Sequence, residues 1–255
     1  MERKGNYLIE PVEEIGNGTF GKVELINLFN LNGKLAGQYA RKTLSVQKEY
    51  VGSIFTHDEL RRRFKREVFY QANCKHSNIV YICMHHMEID NPWFIMELSQ
   101  TDLRKELSEN ILDINKKVEI TKMILKGVIY VHQKGYLHRD LKPANILKFN
   151  NDVYKVSDFG LIKNSNNESE SEILTNIQIA LGTVEYMSPE AKRGEYSIQS
   201  DIYALGVIME EMDISAIDGV DDIIRKSTNL RRKDRYQSVS EMLVGFNKVI
   251  ERREE

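Results

Sequence analysis

The densest run of chemically capable residues is His138-Arg139-Asp140-Leu141-Lys142-Pro143-Ala144-Asn145, followed thirteen residues after its last member by Asp158-Phe159-Gly160. A carboxylate within hydrogen-bond reach of an incoming hydroxyl can take its proton as the oxygen attacks. An asparagine side-chain oxygen and a second carboxylate make the hard oxygen donor set that Mg²⁺ prefers. A neighbouring lysine offsets negative charge on a group in transfer. Asp140, Asn145, Asp158 and Lys142 supply these four functions within about twenty residues.

A second cluster lies far upstream, at Gly16-Asn17-Gly18-Thr19-Phe20-Gly21-Lys22-Val23. It lacks the Ser or Thr after lysine that a Walker A loop uses to hold Mg²⁺. A dinucleotide fingerprint needs a helix to open behind the glycines. Here Val23-Glu24-Leu25-Ile26 continues as a strand instead. Two readings stay open: a glycine-rich hairpin over a triphosphate, whose backbone N–H groups approach the oxygens, or a plain hairpin turn. Lys42, in Tyr39-Ala40-Arg41-Lys42-Thr43, could pair with phosphates if an acid held it in place, and Glu67 is the candidate. Taken singly, each also reads as a surface charge.

The elements that must position these groups follow from periodicity. Tyr7 to Ile15, Val23 to Phe29 and Leu35 to Leu44 are rich in β-formers, and Asn30-Leu31-Asn32-Gly33 carries a tight-turn signal. A helix is expected from about His57 to Asn73, with Phe64, Val68 and Ala72 on its apolar side. Strands around Ile79 to Met87 and Trp93 to Leu98 follow. Beyond Leu98 the period becomes helical: Ile120, Ile124, Val128 and Val131 form one stripe, and Ile202, Leu205, Met209 and Met212 another. The switch near residue 98 implies an α+β chain with two lobes, the first built on a sheet and the second on helices.

Composition narrows the class. The chain has 255 residues, 41% apolar and 29% charged, with a net charge of −2, so no global field favours nucleic acid or an anionic membrane. Arg61, Arg62, Arg63, Lys65 and Arg66 are interleaved with Glu59 and Glu67 and read as a solvated helix face. Two cysteines, Cys74 and Cys83, have no metal-ligand company, which argues against a disulfide framework or zinc site and for a reducing cytoplasm. The start has no signal-peptide core, and no apolar run is long enough to span a membrane. The polar stretch Lys163 to Glu172 reads as a loop.

These motifs, taken in order, resemble the eukaryotic-like serine/threonine protein kinases from about Ile15 to the C-terminus. The resemblance implies a single bilobal domain over 1–255: a small, mostly antiparallel β lobe with its helix C to about residue 97, then a larger helical lobe. It implies ATP with Mg²⁺, or Mn²⁺ in its place, and protein substrates. Lys42 is similar to the family's strand lysine and Glu67 to its helix C partner. Asp140 resembles the catalytic base, with Lys142 beside it, and Asn145 and Asp158 the metal ligands. Ile15, Gly16, Gly18, Gly21, Val23, Ala40, Met96, Glu97, Leu98 and Leu147 match the nucleotide pocket. Ser188-Pro189-Glu190 stands where the activation segment ends, with Ser in place of the usual Ala; Glu190 is then expected to pair with Arg235, and Asp201 to brace the catalytic loop.

Lys142 in Leu-Lys-Pro-Ala-Asn, with Gly182-Thr183 before Tyr186, is similar to the Ser/Thr branch, and Asp234 to Ser238 resembles bacterial members. The resemblance implies that Arg139 pairs with a phosphorylated residue among Ser165, Ser169, Ser171 and Thr175, with Thr175 or Ser171 favoured, unless these only solvate a loop; regulation then comes from this segment, self-association or a separate partner. Two departures stand out. Gln71 occupies a position that is usually apolar, which is expected to weaken the active position of helix C. Only about ten residues, Asp213 to Asp222, precede a helix expected near Ile223, where the family has a longer substrate-docking segment. A binding scaffold without catalysis and a small-molecule kinase are the competing classes. Neither loss of Lys42, Asp140 or Asp158 nor loss of the Gly182-to-Glu190 pattern supports them.

Overall fold

The computed structural model describes residues 1–18, 21–45, 56–164 and 184–254. They form two compact units, one of Met1–Lys75 with Val80–Ser99 and one of His76–Ile79 with Gln100–Glu255.

The first unit is an antiparallel six-stranded sheet with one helix. Its strands are β1 (Glu2–Lys4), β2 (Tyr7–Gly18), β3 (Gly21–Asn30), β4 (Leu35–Leu44), β5 (Ile82–His86) and β6 (Trp93–Glu97), in the order β1-β2-β3-β4-β6-β5. The β3–β4 turn places Gly33 at φ 76°, a left-handed conformation that glycine adopts without strain. β1 was not expected: Glu-Arg-Lys has no apolar pattern, and it pairs with β2 through backbone alone, Arg3 opposite Leu8. β5 is shorter than the expected Ile79–Met87. Ile79 instead bridges to Val156 in the second unit, because Asn78 exchanges hydrogen bonds there: its Nδ2 donates to Tyr154 O at 2.9 Å and its O accepts from Val156 N at 2.9 Å.

Helix α1 (His57–Asn73) starts with a reciprocal cap. The Thr56 N–H donates to Glu59 Oε2 at 2.8 Å, and the Glu59 N–H to Thr56 Oγ1 at 3.3 Å. Leu60, Phe64 and Val68 are buried at helical spacing, and the Phe64 ring meets Phe94 of β6 at 5.4 Å between centroids. The other sheet face buries Ile9, Ile26, Leu28, Trp93 and Ile95.

The second unit is mainly helical: α2 (Leu103–Ser108), α3 (Ile114–Gln133), α4 (Ile198–Glu211), α5 (Val220–Ser227) and α6 (Val239–Glu254). Ile120, Ile124, Val128 and Val131 of α3 are buried, as are Ile202, Leu205 and Met209 of α4 and Met212 at its end. Gly127 lets α3 approach the 76–79 turn, because a Cβ there would lie 2.6 Å from Asn78 O. α5 begins three residues before the expected Ile223, so the connection from α4 is shorter still. The small strands β7 (Thr101–Asp102), β9 (Ile146–Phe149) and β10 (Val153–Val156) form one sheet, and β8 (Tyr136–Leu137) pairs with β11 (Lys163–Asn164). Among the described residues no helix is long and apolar enough to cross a membrane.

Candidate functional site

In the first unit the glycine-rich residues form the tip of the β2–β3 hairpin, with Asn17 opposite Lys22 and Gly18 opposite Gly21. From Gly21 the chain continues as strand β3. Gly21 has a steric reason to be glycine, since a Cβ would lie 3.0 Å from Thr43 O and 3.1 Å from Lys42 Cγ. A Cβ on Gly16 would meet only ordinary contacts with Val23. Thr19 and Phe20 lie outside the described residues.

Strand alternation separates two adjacent cations of β4. Lys42 shares a face with the buried Ala40 and Leu44, and its Nζ meets Glu67 Oε1 of α1 at 2.6 Å. Arg41 points to the opposite face, where it pairs with Glu24 at 2.8 Å and Glu2 at 2.9 Å. Glu67 is buried one turn after Phe64, so the packing of α1 sets its position. Gln71, one turn further, is also buried, but its Nε2 donates to Val80 O at 3.1 Å. Its polarity is satisfied at that position by the Val80 carbonyl. Ala40 is buried, Val23, Met96, Glu97 and Leu98 are half-buried, and Ile15 is exposed on β2. Glu97 is fixed to the start of β5: its Oε1 accepts from Tyr81 N at 2.7 Å.

In the second unit the 138–145 loop leaves β8 and closes in a 3₁₀ turn at Pro143–Asn145. Asp201, in the first turn of α4, accepts the N–H groups of His138 and Arg139, each at 2.9 Å, and meets His132 Nε2 at 2.8 Å. These bonds hold Arg139 at φ 72°, a region costly for a side chain larger than glycine's. Burial works against charge on Asp201. The bonds from His132 and the Arg139 N–H outweigh it and keep the carboxyl below its ordinary range. His138 is fully buried, and burial lowers its pKa. Its partners suit a neutral ring, with Nε2 donating to Ser157 O at 3.1 Å and Nδ1 accepting from Asp140 N at 3.4 Å.

Asp140, Lys142 and Asn145 converge. Lys142 Nζ lies 2.9 Å from Asp140 Oδ2, and Asn145 Nδ2 donates to Asp140 O at 2.8 Å and Oδ2 at 3.0 Å. Asp140 Oδ1 is buried and accepts no hydrogen bond among the described residues. Burial raises the Asp140 pKa, opposed by Lys142 and reinforced by the charge on Asp158. Asn145 also fixes Asp158 indirectly, because its O accepts from both N and Oγ of Ser157 at 2.9 Å. Asp158 sits at φ 60°, with Oδ1 accepting from Gly160 N at 3.3 Å. Phe159 is fully buried, edge-on to His138. Leu147, on β9, is half-buried.

The segment ending at Glu190 is bolted down by Arg235, which is only 2% exposed. Arg235 donates from Nη1 to Glu190 Oε1 at 2.6 Å and from Nη2 to Oε2 at 3.0 Å. Its other bonds go to the carbonyls of Asn229, Gln199 and Leu230. Sequence reasoning named Arg139 and Tyr186 but did not find their partners Tyr196 and Glu211, nor Ser200 beside Glu190. Ser200 Oγ donates to Glu190 Oε1 at 3.2 Å, Tyr186 Oη donates to Glu211 at 2.6 Å, and the Arg139 guanidinium stacks on Tyr196 at 3.8 Å from its centroid. None has a periodic signature; a tyrosine near a catalytic loop carries no mark of the cation above it. Ser165, Ser169, Ser171, Thr175, Gly182 and Thr183 lie outside the described residues. Among the described residues Cys74 and Cys83 form no disulfide.

The protein kinase domain model matches residues 9–242. A probable serine/threonine-protein kinase PknB from Lactococcus lactis is 36% identical over 164 residues, covering 63% of this chain and 26% of that protein. The serine/threonine-protein kinase PrkC from Bacillus subtilis is 31% identical over 206 residues, 78% of this chain and 31% of that one. An Aurora kinase from Yarrowia lipolytica is 28% identical over 215 residues, 81% of this chain and 53% of that one. The chain thus spans under a third of the length of these two bacterial relatives. With the paired Lys42 and Glu67 in one unit and the braced 138–158 loop in the other, the match over 9–242 means that the chain belongs to the protein kinase domain family.

Proposed function

We propose that this chain transfers the γ-phosphate of ATP to Ser and Thr hydroxyls of protein substrates, using Mg²⁺, with Mn²⁺ as an alternative. The observation that carries this reading is the buried Asp140, with one oxygen committed to Lys142 and Asn145 and the other accepting nothing among the described residues. A substrate hydroxyl is a donor that Oδ1 can take, and a carboxylate whose pKa is raised by burial is the better proton acceptor. Lys142 stabilises negative charge beside the reacting oxygen.

The donor chemistry fits a divalent cation. Asn145 Nδ2 is committed to Asp140, which leaves Asn145 Oδ1 as the group's acceptor, and Asp158 adds a carboxylate: an all-oxygen set. When bound, such a cation neutralises charge on the phosphate oxygens. In the first unit, Lys42 held by Glu67 is assigned to the phosphates. The hairpin glycines Gly16, Gly18 and Gly21 would let backbone N–H groups approach them, and Ile15, Val23, Ala40, Met96, Glu97 and Leu98 take the adenine end. Leu147 belongs to the same set. The whole of 1–255 is read as one kinase domain.

Lys142 and Gly182-Thr183 favour Ser/Thr over Tyr, as do the names of the bacterial relatives. Transfer onto Ser171 or Thr175 of another copy, read out through Arg139, is the autophosphorylation that the loop composition suits. Cysteines outside any disulfide fit a reducing cytoplasm. Incubation with γ-labelled ATP, with and without a generic protein substrate, followed by phosphoamino-acid analysis, tests the reading. Label is expected on protein Ser and Thr. ATP binding with no transfer would mark a scaffold, and label found only on small hydroxyl compounds would mark a small-molecule kinase.

A further inference from the structure

Two exposed basic turns flank the buried Glu190–Arg235 pair. Lys192 and Arg193 follow Glu190 in a 3₁₀ turn, and Arg231, Arg232 and Lys233 precede Arg235 in another. All five cations are exposed, and none has a carboxylate partner among the described residues. Glu190 is taken by Arg235, and Glu195 and Asp234 are the other acids beside these turns, so positive charge is in surplus. The turns are built, since Arg235 ties Glu190 to the Asn229 and Leu230 carbonyls, Arg231 N donates to Asn229 Oδ1 at 2.9 Å, and Asp234 N donates to Arg231 O at 3.0 Å. Beside them Leu230 is 75% exposed.

An unpaired basic surface held rigid, with a large apolar side chain at its edge, calls for an acidic partner with an apolar neighbour. The chain itself carries that sequence at Glu168-Ser169-Glu170-Ser171-Glu172-Ile173-Leu174, three acids alternating with serines and followed by two aliphatics. We propose that the Lys192–Arg193 and Leu230–Lys233 turns form a docking platform for the acidic segment 168–174 of a second copy of this chain. This rests on the kinase reading above and names how one copy recognises another as substrate. Opposite charges speed and orient the encounter, Leu230 takes Ile173 or Leu174, and salt weakens the docking.

The test uses full-length chains. Wild-type enzyme phosphorylates an Asp140→Asn acceptor and, separately, a short uncharged Ser/Thr peptide. In the Arg231→Glu/Arg232→Glu/Lys233→Glu enzyme, kcat/KM for the acceptor is expected to fall about tenfold, as three surface ion pairs allow. The rate on the short peptide stays within about twofold. An acceptor that also carries Glu168→Lys, Glu170→Lys and Glu172→Lys recovers most of the loss. Unchanged transfer to the acceptor, a parallel fall on the short peptide, or no recovery with the swapped acceptor overturns the platform. Docking is read without turnover by anisotropy of a labelled synthetic peptide of residues 163–176 on the Asp140→Asn chain, again with about tenfold weaker binding after charge reversal. Equal binding to both, or vesicle binding lost in the charge-reversed chain while peptide binding is not, overturns it as well. Wild-type enzyme that labels neither acceptor nor peptide, yet binds the 163–176 peptide, refutes the kinase reading and leaves the platform standing.

Discussion

Asn in place of Asp140 is expected to slow single-turnover phosphoryl transfer by about 10²–10⁴-fold, while the melting temperature holds or rises. The amide keeps the shape of the carboxylate and can still accept from Asn145 Nδ2, but it cannot take a proton from the substrate hydroxyl. Its effect on stability follows from burial. Asp140 ionises at a cost, since burial raises its pKa despite Lys142. A carboxyl whose folded pKa lies above its unfolded value binds more protons when folded, so its contribution to stability declines as pH rises from the ordinary aspartate range through the raised value. The neutral amide avoids that decline, at the cost of the Lys142 contact. The same shift places the acid limb of wild-type activity above the ordinary aspartate range. Rapid-quench measurement with labelled ATP, alongside calorimetry at pH 7, checks both parts. Transfer within threefold of wild type would show that Asp140 is not the proton acceptor.

Arg235→Ala is expected to cost the second unit about 3–5 kcal/mol. The guanidinium uses all of its donor groups: two bonds to Glu190 and three to backbone carbonyls, in a setting that leaves it 2% exposed. Removing it strands a buried carboxylate and three carbonyls, whereas a surface ion pair would be worth a fraction of this. Burial alone would raise the Glu190 pKa, yet Arg235 and neighbouring donors bring it below the ordinary range. A depressed carboxyl contributes stability above its unfolded pKa and loses it as pH falls through the folded value. The destabilisation is therefore full at neutral pH and shrinks on acidification below the ordinary glutamate range. At pH 7 the melting temperature should drop by roughly 6–20 °C; an unchanged value would mean that the pair contributes little. Arg235→Lys should recover only part of the loss, because an ammonium cannot grip both carboxylate oxygens while serving the carbonyls.

Elements with strong periodicity were legible in the sequence, and the reason is burial of one face. Helix α1 was expected at His57 to Asn73 because Phe64 and Val68 repeat at helical spacing, and the Thr56–Glu59 cap fixes its start. The apolar stripes of α3 and α4 are buried, together with Val118 and Leu125 of α3 and Ile208 of α4. Short polar elements were not legible. β1 has no apolar side to bury, and Ile79 left its expected strand because Asn78 found backbone partners at Tyr154 and Val156, far along the chain. The site divides along the same line. Asp140, Lys142 and Asn145 could be grouped because they lie within six residues. Lys42 was singled out from its neighbour Arg41 through family resemblance, and alternation along β4 sets the two on opposite faces. The bonds of His132, Ser157 and Ser200 join segments remote in sequence, and no local pattern announces such a bond. Glu190 and Arg235, 45 residues apart, were matched through family resemblance rather than through composition or period.

The arrangement proposed for Asn145 and Asp158 beside Asp140 makes nucleotide affinity depend on a divalent cation. Binding of a non-hydrolysable ATP analogue, titrated with and without Mg²⁺ on the wild-type chain and on Asp158→Ala, measures that dependence directly. Mg²⁺ should tighten binding to the wild type by about tenfold or more and leave the variant nearly unaffected, with both chains melting cooperatively. An equal Mg²⁺ effect on the two chains, or none on the wild type, would contradict the assignment of 145 and 158 as the cation's ligands.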